Sequence, residues 1–272
     1  MENFNIKRFG NTFRWFFCEN RSRLLAWSAG LALGIFVVQS LFLWMTLAHI
    51  EGAQLNSEIL RGVCLPISEI CALFTLWFVF SQIFSTLKPK QKRIAYLTLP
   101  ATNLERYLAA FLMTVVVWPI CVMLAVALGD TLRMLFFGLL GKGWVSGVVA
   151  FFNREGNSLT GWEKVLNNVS EFAMSAWVCS AFILGGTWFK KRQFLFTGLI
   201  LIVLTTALVW LCAQLHINYE ILTFDAETKE VHMTWLVYPS IIGLTAFSLL
   251  NFWGSYQIFK RFQIITSKWT NV

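Results

Sequence analysis

Charge is scarce in this sequence: Asp, Glu, Lys and Arg make up 13% of its 272 residues, about half of the roughly 25% usual in soluble globular domains. With 57% hydrophobic residues, 26 Phe and 13 Trp, the chain carries more apolar surface than a soluble core absorbs, and it belongs in a bilayer. Histidine is scarcer still. His49, His216 and His232 all fall outside the long apolar runs, so the runs hold neither the nucleophile and base nor the clustered His and acid ligands of an intramembrane enzyme. His216 and Glu220 stand four apart, as metal ligands on a helix do, yet a solvated acidic loop accounts for both and no metal site is expected. The six cysteines make neither a CxxC pair nor a Cys/His cluster with zinc spacing. Cys71, Cys121, Cys179 and Cys212 sit in apolar runs, as small buried side chains do. The ATP-binding pattern G-x-x-x-x-G-K-[ST] is missing as well, GLLGKG at 138–143 being a superficial likeness.

What is present in quantity is apolar length. Crossing a hydrocarbon core about 30 Å thick takes about 20 apolar residues, and six runs qualify: 24–47, 63–84, 107–128, 172–189, 194–215 and 236–259. These predict an all-α polytopic membrane protein with six transmembrane helices. The first run is too long for the core of a cleaved signal peptide and reads as a retained span. Glu69, three residues after Pro66 and near the outer end of the second run, is the one charge inside any of them. A gate in a transport pathway and simple snorkelling to the interface are both open for it. Gln39, Gln82, Asn251 and Gln257 suit hydrogen bonds between helices, and Gly185, Gly186 and Gly243 suit close helix packing.

The cations set an orientation, because Lys and Arg stay on the cytoplasmic side. With six spans, the two termini, the second loop and the fourth loop share a side that collects 16 basic residues against three acids; the opposite side holds six basic residues and eleven acids. Both termini are therefore expected in the cytoplasm. The net charge of +8 is a signal of topology and of lipid headgroups. Dispersed over four short segments, it gives no platform for nucleic acid.

Residues 1–23 alternate bulky aromatics with Lys7, Arg8, Arg14 and Arg21, the pattern of an N-terminal interfacial helix with its basic face toward anionic headgroups. A plain lead-in to the first span is the alternative, with Gly10 and Asn11 as a break. The six-span domain then occupies 24–272. Its longest loop, 129–171, contains a weakly apolar stretch, 132–152, that is expected to form a re-entrant or interfacial hairpin turning at Gly141, Lys142 and Gly143. A seventh span there would place Lys190, Lys191 and Arg192 outside. A polar stretch, 153–161, and a short helix, 162–169, follow. The acidic loop 216–234 accommodates a small hairpin around 225–229.

The loop between the second and third runs, KPKQKRIAYLTLPATNLERY at 88–107, carries the densest local signals. Thr102 and Glu105 have the spacing of a capping box, in which Thr caps the N3 amide and Glu reaches back to the cap. Pro100 cannot continue a preceding helix, so a new helix starts at about Thr102 and runs into the third span. Ahead of it, 90–99 reads as a short amphipathic segment, with Ile94, Leu97 and Tyr96 on one side and Lys90, Lys92 and Arg93 on the other.

The string RIAYLTLPATNLERYL, 93–108, following a second span with a basic tail, resembles the cytoplasmic loop of ABC-2 type transporter permeases, especially a group seen in Bacteroidetes-like bacteria. The resemblance covers the whole chain as architecture and 16 residues as motif. It implies a permease subunit, with a bias to export, in a bacterial inner (cytoplasmic) membrane. It also implies that ATP and Mg are bound by a separate ABC ATPase subunit, and that a second permease chain, identical or paralogous, completes the pathway. The contact with the ATPase would fall on Arg93, Tyr96, Asn103, Glu105 and Arg106, behind the Thr102 cap. The apolar hairpin here lies between spans three and four, whereas better-known members place external re-entrant helices between five and six. A secondary transporter would show internal repeats, and the two halves show none. A membrane scaffold or assembly protein without transport activity is the alternative reading.

Overall fold

The computed structural model describes residues 4–48, 55, 57–152, 161–214, 222–224 and 231–262. The stretch 153–160, the pair His216 and Glu220, and residues 263–272 with Lys268 lie outside the described residues. Among the described residues, six helices are long and apolar enough to cross a membrane: Ile6–Ala48, Glu58–Ser81, Asn103–Leu139, Gly161–Trp188, Gln193–Gln214 and Val237–Lys260. All six expected runs fall on them. A short antiparallel pair, β1 (Leu222–Phe224) and β2 (Val231–Met233), flanks the place where a small hairpin is expected. The chain divides into two compact units, Met1–Val79 with Leu108–Glu155, and Phe80–Tyr107 with Gly156–Val272.

In the first unit, helix α1 (Ile6–Ala48) runs unbroken for 43 residues, about 64 Å at 1.5 Å per residue. No separate interfacial helix precedes the first span. A Gly costs a helix about 1 kcal/mol, which Gly10 does not raise high enough to break it. Buried Thr12, Phe16, Asn20 and Leu24 continue, four residues apart, the packed stripe of Ala32, Ile35, Gln39 and Leu43. Helix α2 (Ser57–Ser81) lies against α1: Trp27 stacks on Phe78 with centroids 5.0 Å apart, and Gln39 Nε2 donates to the Cys64 carbonyl at 3.2 Å and to Ser68 Oγ at 2.6 Å. Gln39 is thus the interhelical partner that its position suggests.

The third span is composite. Helix α4 (Asn103–Leu112) passes through a π-turn at Met113–Val117 into α5 (Trp118–Leu139). Pro119 has no N–H to give and its ring crowds the carbonyl four residues back, so the backbone widens for one turn and resumes. Expected to stop at 128, the span runs on to Leu139. Gly129 lets α1 approach closely, since a Cβ there would sit 2.8 Å from the Ala32 carbonyl oxygen. Asp130 and Arg133 remain inside the helix because they pair with each other, Nη2 to Oδ1 at 2.6 Å, one turn apart.

The chain then folds back, as a hairpin turning at Gly141, Lys142 and Gly143. Gly141 (φ 71°) and Gly143 (φ 122°) take backbone conformations that L side chains rarely adopt. The short helix α6 (Gly147–Phe152) begins beside Asp130. Asp130 Oδ1 accepts from the Gly147 amide at 3.1 Å; Oδ2 accepts from the Val148 amide at 3.1 Å and from Ser146 Oγ at 2.9 Å. Arg133 Nη2 donates to the Val145 carbonyl at 3.0 Å. The ion pair therefore supplies the partners that this non-helical backbone lacks. Beneath the turn, Val145 packs on an apolar cluster of Leu43, Leu55, Leu60, Cys64 and Phe137.

In the second unit, α7 (Gly161–Trp188) absorbs the short helix expected at 162–169 and so is 28 residues long rather than 18. It is joined to α8 (Gln193–Gln214) by a tight turn in which Gln193 Nε2 donates to the carbonyls of Gly186 at 2.9 Å and Phe189 at 2.6 Å. Helix α9 (Val237–Lys260) packs on α7 through Thr187 and Ser255, whose hydroxyls are 2.7 Å apart, and through Asn251 Nδ2 to Ser180 Oγ at 3.0 Å. Gly185 and Gly186 are close-approach positions, against Thr197 and the Ser81 backbone. Gly243 is not, because nothing lies within 4 Å of a Cβ built there.

Two outcomes follow. Gly186→Leu should destabilise the protein by about 1–3 kcal/mol through overpacking, whereas Gly243→Ala should not destabilise it and should add up to about 1 kcal/mol, as read by thermal unfolding in detergent. Asp130→Ala, which leaves a buried guanidinium and two hairpin amides unpaired, should cost about 3–5 kcal/mol in the same assay. The double variant with Arg133→Ala should cost less than the two single losses combined.

Candidate functional site

The loop between the second and third spans is a built element. After α2, a 3-10 turn at Ser85–Leu87 leads to Pro89, whose extended backbone (φ −66°, ψ 130°) starts α3 (Lys90–Leu97). Pro100 separates α3 from α4. The capping box forms as its spacing predicts: the Glu105 amide donates to Thr102 Oγ1 at 3.2 Å, and the Thr102 amide donates to Glu105 Oε2 at 2.8 Å. Two orphan donors at the helix start are thereby satisfied.

α3 is amphipathic, with its faces assigned differently from the sequence expectation. Arg93 and Tyr96 are buried and Leu97 half-buried, while Lys90, Gln91, Lys92, Ile94 and Ala95 face outward, followed by exposed Thr98. At 100° per residue, 93, 96 and 97 share one stripe. Arg93 goes inward because partners await it: Nε donates to the Leu87 carbonyl at 3.2 Å, and the guanidinium lies over the Phe262 ring at 5.9 Å. Ile94 is left outside, 37% exposed. Burial holds Arg93 below the usual arginine value.

Tyr96 ties α3 to α4. Its hydroxyl donates to the Arg106 carbonyl, and Arg106 Nη2 donates back to the Leu99 carbonyl at 2.6 Å. The Tyr96 ring meets Phe259 edge-on at 6.5 Å. Burial pushes the Tyr96 phenol above the ordinary tyrosine range, with the Arg106 cation acting more weakly in the other direction. Around Phe259 gather Phe84, stacked at 5.0 Å, Tyr107 at 5.7 Å and Phe262 at 5.2 Å. Tyr107 also touches Tyr256 at 5.3 Å and donates its hydroxyl to the Phe252 carbonyl at 3.4 Å. One aromatic cluster thus joins the end of the second span, α3, the start of the third span and the end of the last.

The five expected contact residues divide accordingly. Arg93, Tyr96 and Glu105 are buried and hold the loop to its own chain; Arg106 is half-buried, its Nη1 3.4 Å from Asn103 Oδ1; Asn103 is exposed. The outward surface is made instead by α3 side chains, with Leu104 (40% exposed) beside Asn103. Glu69 lies at the midpoint of the 25-residue α2, half-buried, rather than near an end. Either end of the helix is about 18 Å away along its axis. The buried pair Asp130 and Arg133 was not foreseen as a polar site. Its signal was an acid and a base three apart, directly before a Gly-Lys-Gly turn.

The Tyr96 staple gives a pH dependence whose sign follows from its direction. Below about pH 10 the phenol is neutral folded or unfolded; above it, the unfolded chain releases a proton that the folded site retains, so stability is lost as pH rises. A nitroxide on Thr98→Cys, in a Cys18→Ser background, should gain mobility above about pH 10 in the otherwise native protein. Tyr96→Phe should be looser at neutral pH by about 1 kcal/mol and show no such rise. No protein-family model, curated protein or solved structure matches this chain.

Proposed function

We propose that this chain is the membrane-spanning permease subunit of an ABC-2 type transporter, probing no chemistry of its own and moved by a separate ATPase subunit that binds ATP and Mg. The observation that carries the reading is α3. It is a short helix fastened on its inner side by Arg93 and Tyr96, open on its outer side with Lys90, Ile94 and Ala95, and linked by a capped turn to a span. The motif at 93–108 and the charge asymmetry of the loops support the same reading, with both termini and α3 in the cytoplasm of a bacterial cell. Two such chains, identical or paralogous, form the pathway between them, and the direction is export.

In this mechanism the ATPase pushes on the outer face of α3. Tyr96 and Arg106 pass the displacement to α4 and so to the third span, while the ring of Phe259 passes it to α9. The π-turn at Met113–Val117 is a local irregularity at which the third span can bend. Glu69, at mid-helix, is a candidate gate in the pathway.

The docking surface is tested with exposed residues. Arg93→Glu or Glu105→Arg would dismantle the loop itself, because both side chains are buried. Ile94→Asp with Ala95→Arg, in the chain co-expressed with a candidate ABC ATPase subunit that co-purifies with the native chain, should abolish that co-purification while membrane insertion stays intact. ATPase association unchanged in that variant would sink the docking assignment.

A further inference from the structure

The hairpin that follows α5 turns at a depth fixed by its contacts in the first unit. Trp27 meets Trp118 at 6.5 Å, Phe36 meets Phe136 at 5.9 Å, and Phe137 shares one buried cluster with Leu43, so α1 and α5 run in the same direction side by side. Leu43 stands four residues before the end of the apolar run 24–47, about 6 Å along the helix. A second measure agrees. The same cluster contains Leu60 and Cys64 of α2, where the apolar run 63–84 begins, and Leu55, whose amide donates to the Lys142 carbonyl at 2.9 Å. Phe137 therefore lies just inside the hydrocarbon edge at which the first span ends, and residues 139–144 lie at that edge.

At that depth the turn presents apolar side chains outward. Leu139 is 82% exposed and Trp144 60%, and Leu140 and Lys142 are exposed beside them. The shape of the turn is set from within: Gly141 and Gly143 bend the backbone, and the Trp144 ring lies across Gly138, where a Cβ would come within 2.5 Å of it. We propose that this turn is a membrane anchor, with Leu139 and Leu140 in the acyl edge, the Trp144 ring at headgroup level and the Lys142 ammonium on lipid phosphates. Tryptophan is enriched at membrane–water interfaces because its ring is apolar and its N–H polar, and lysine buries its stem while its charge stays wet. A soluble partner would have to displace lipid to reach a surface at this depth. Lipid thus holds from outside the turn that Asp130 and Arg133 hold from within. The inference needs only that the apolar helices cross a bilayer and stands apart from the transport reading.

The test is electron paramagnetic resonance of the full chain in vesicles of phosphatidylethanolamine and phosphatidylglycerol. A nitroxide is placed on Leu139→Cys in a Cys18→Ser background, with the Cys18→Ser chain alone as the blank. Oxygen concentrates in hydrocarbon, whereas a nickel chelate stays in water. The Leu139 label should be relaxed more strongly by oxygen than by the chelate, and adding Trp144→Ser should shift that balance toward the chelate. A Leu139 label relaxed mainly by the chelate puts the turn in water and overturns the proposal. A label shielded from both reagents reveals a protein cover, such as a second copy of the chain, and overturns it as well. An unchanged balance in Trp144→Ser also counts against the anchor. Should the Trp144→Ser chain fail to fold, the Leu139 measurement decides by itself.

Discussion

Hydrocarbon contains no water to pair a backbone amide or carbonyl, so every departure from α-helix within an apolar chain must bring its own partners. That constraint organises this structure. Where the chain folds back after α5, Asp130 and Arg133 supply acceptors and a donor to Val145, Gly147 and Val148. Where α7 turns into α8, Gln193 covers the carbonyls of Gly186 and Phe189. Outside the spans too, where α4 begins, Thr102 and Glu105 satisfy each other's amides. Other polar side chains, Gln39, Thr187, Ser255 and Asn251, join regular helices to one another.

The loop between the second and third spans adds a mechanical property to that economy of polar groups. Its inner side is held by hydrogen bonds from Arg93, Tyr96 and Arg106 to backbone carbonyls, and by rings packed around Phe259. These contacts tie α3 to the capped start of the third span and, through the aromatic cluster, to the end of the last. On the opposite face Lys90, Gln91, Ile94 and Ala95 are exposed.

Much of this was legible beforehand. The six spans followed from apolar length, the α4 start from Thr102, Glu105 and Pro100, and the hairpin turn from two glycines around Lys142. Other features were not. Arg93 looked like an outward cation, since a sequence does not reveal that the Leu87 carbonyl and the Phe262 ring lie where its side chain points. Asp130 and Arg133 looked like the start of a loop, because charge argues against a span unless the partner is known to sit one turn away. The unbroken course of α1 through Gly10 and Asn11 reflects packing of Thr12, Phe16 and Asn20, a tertiary term larger than the local helix preference it overrides.

The sequence by itself determined a helical, six-span membrane architecture and the capped helix that opens the third span, because apolar length and capping are local properties read along one strand of chain. Only the tertiary structure decided which side of α3 faces out, where Glu69 lies along its helix, and how two charges are accommodated in α5. Those depend on groups distant in sequence that arrive as hydrogen-bond and packing partners after folding, and in an apolar medium the presence of a partner decides whether a polar side chain is tolerated.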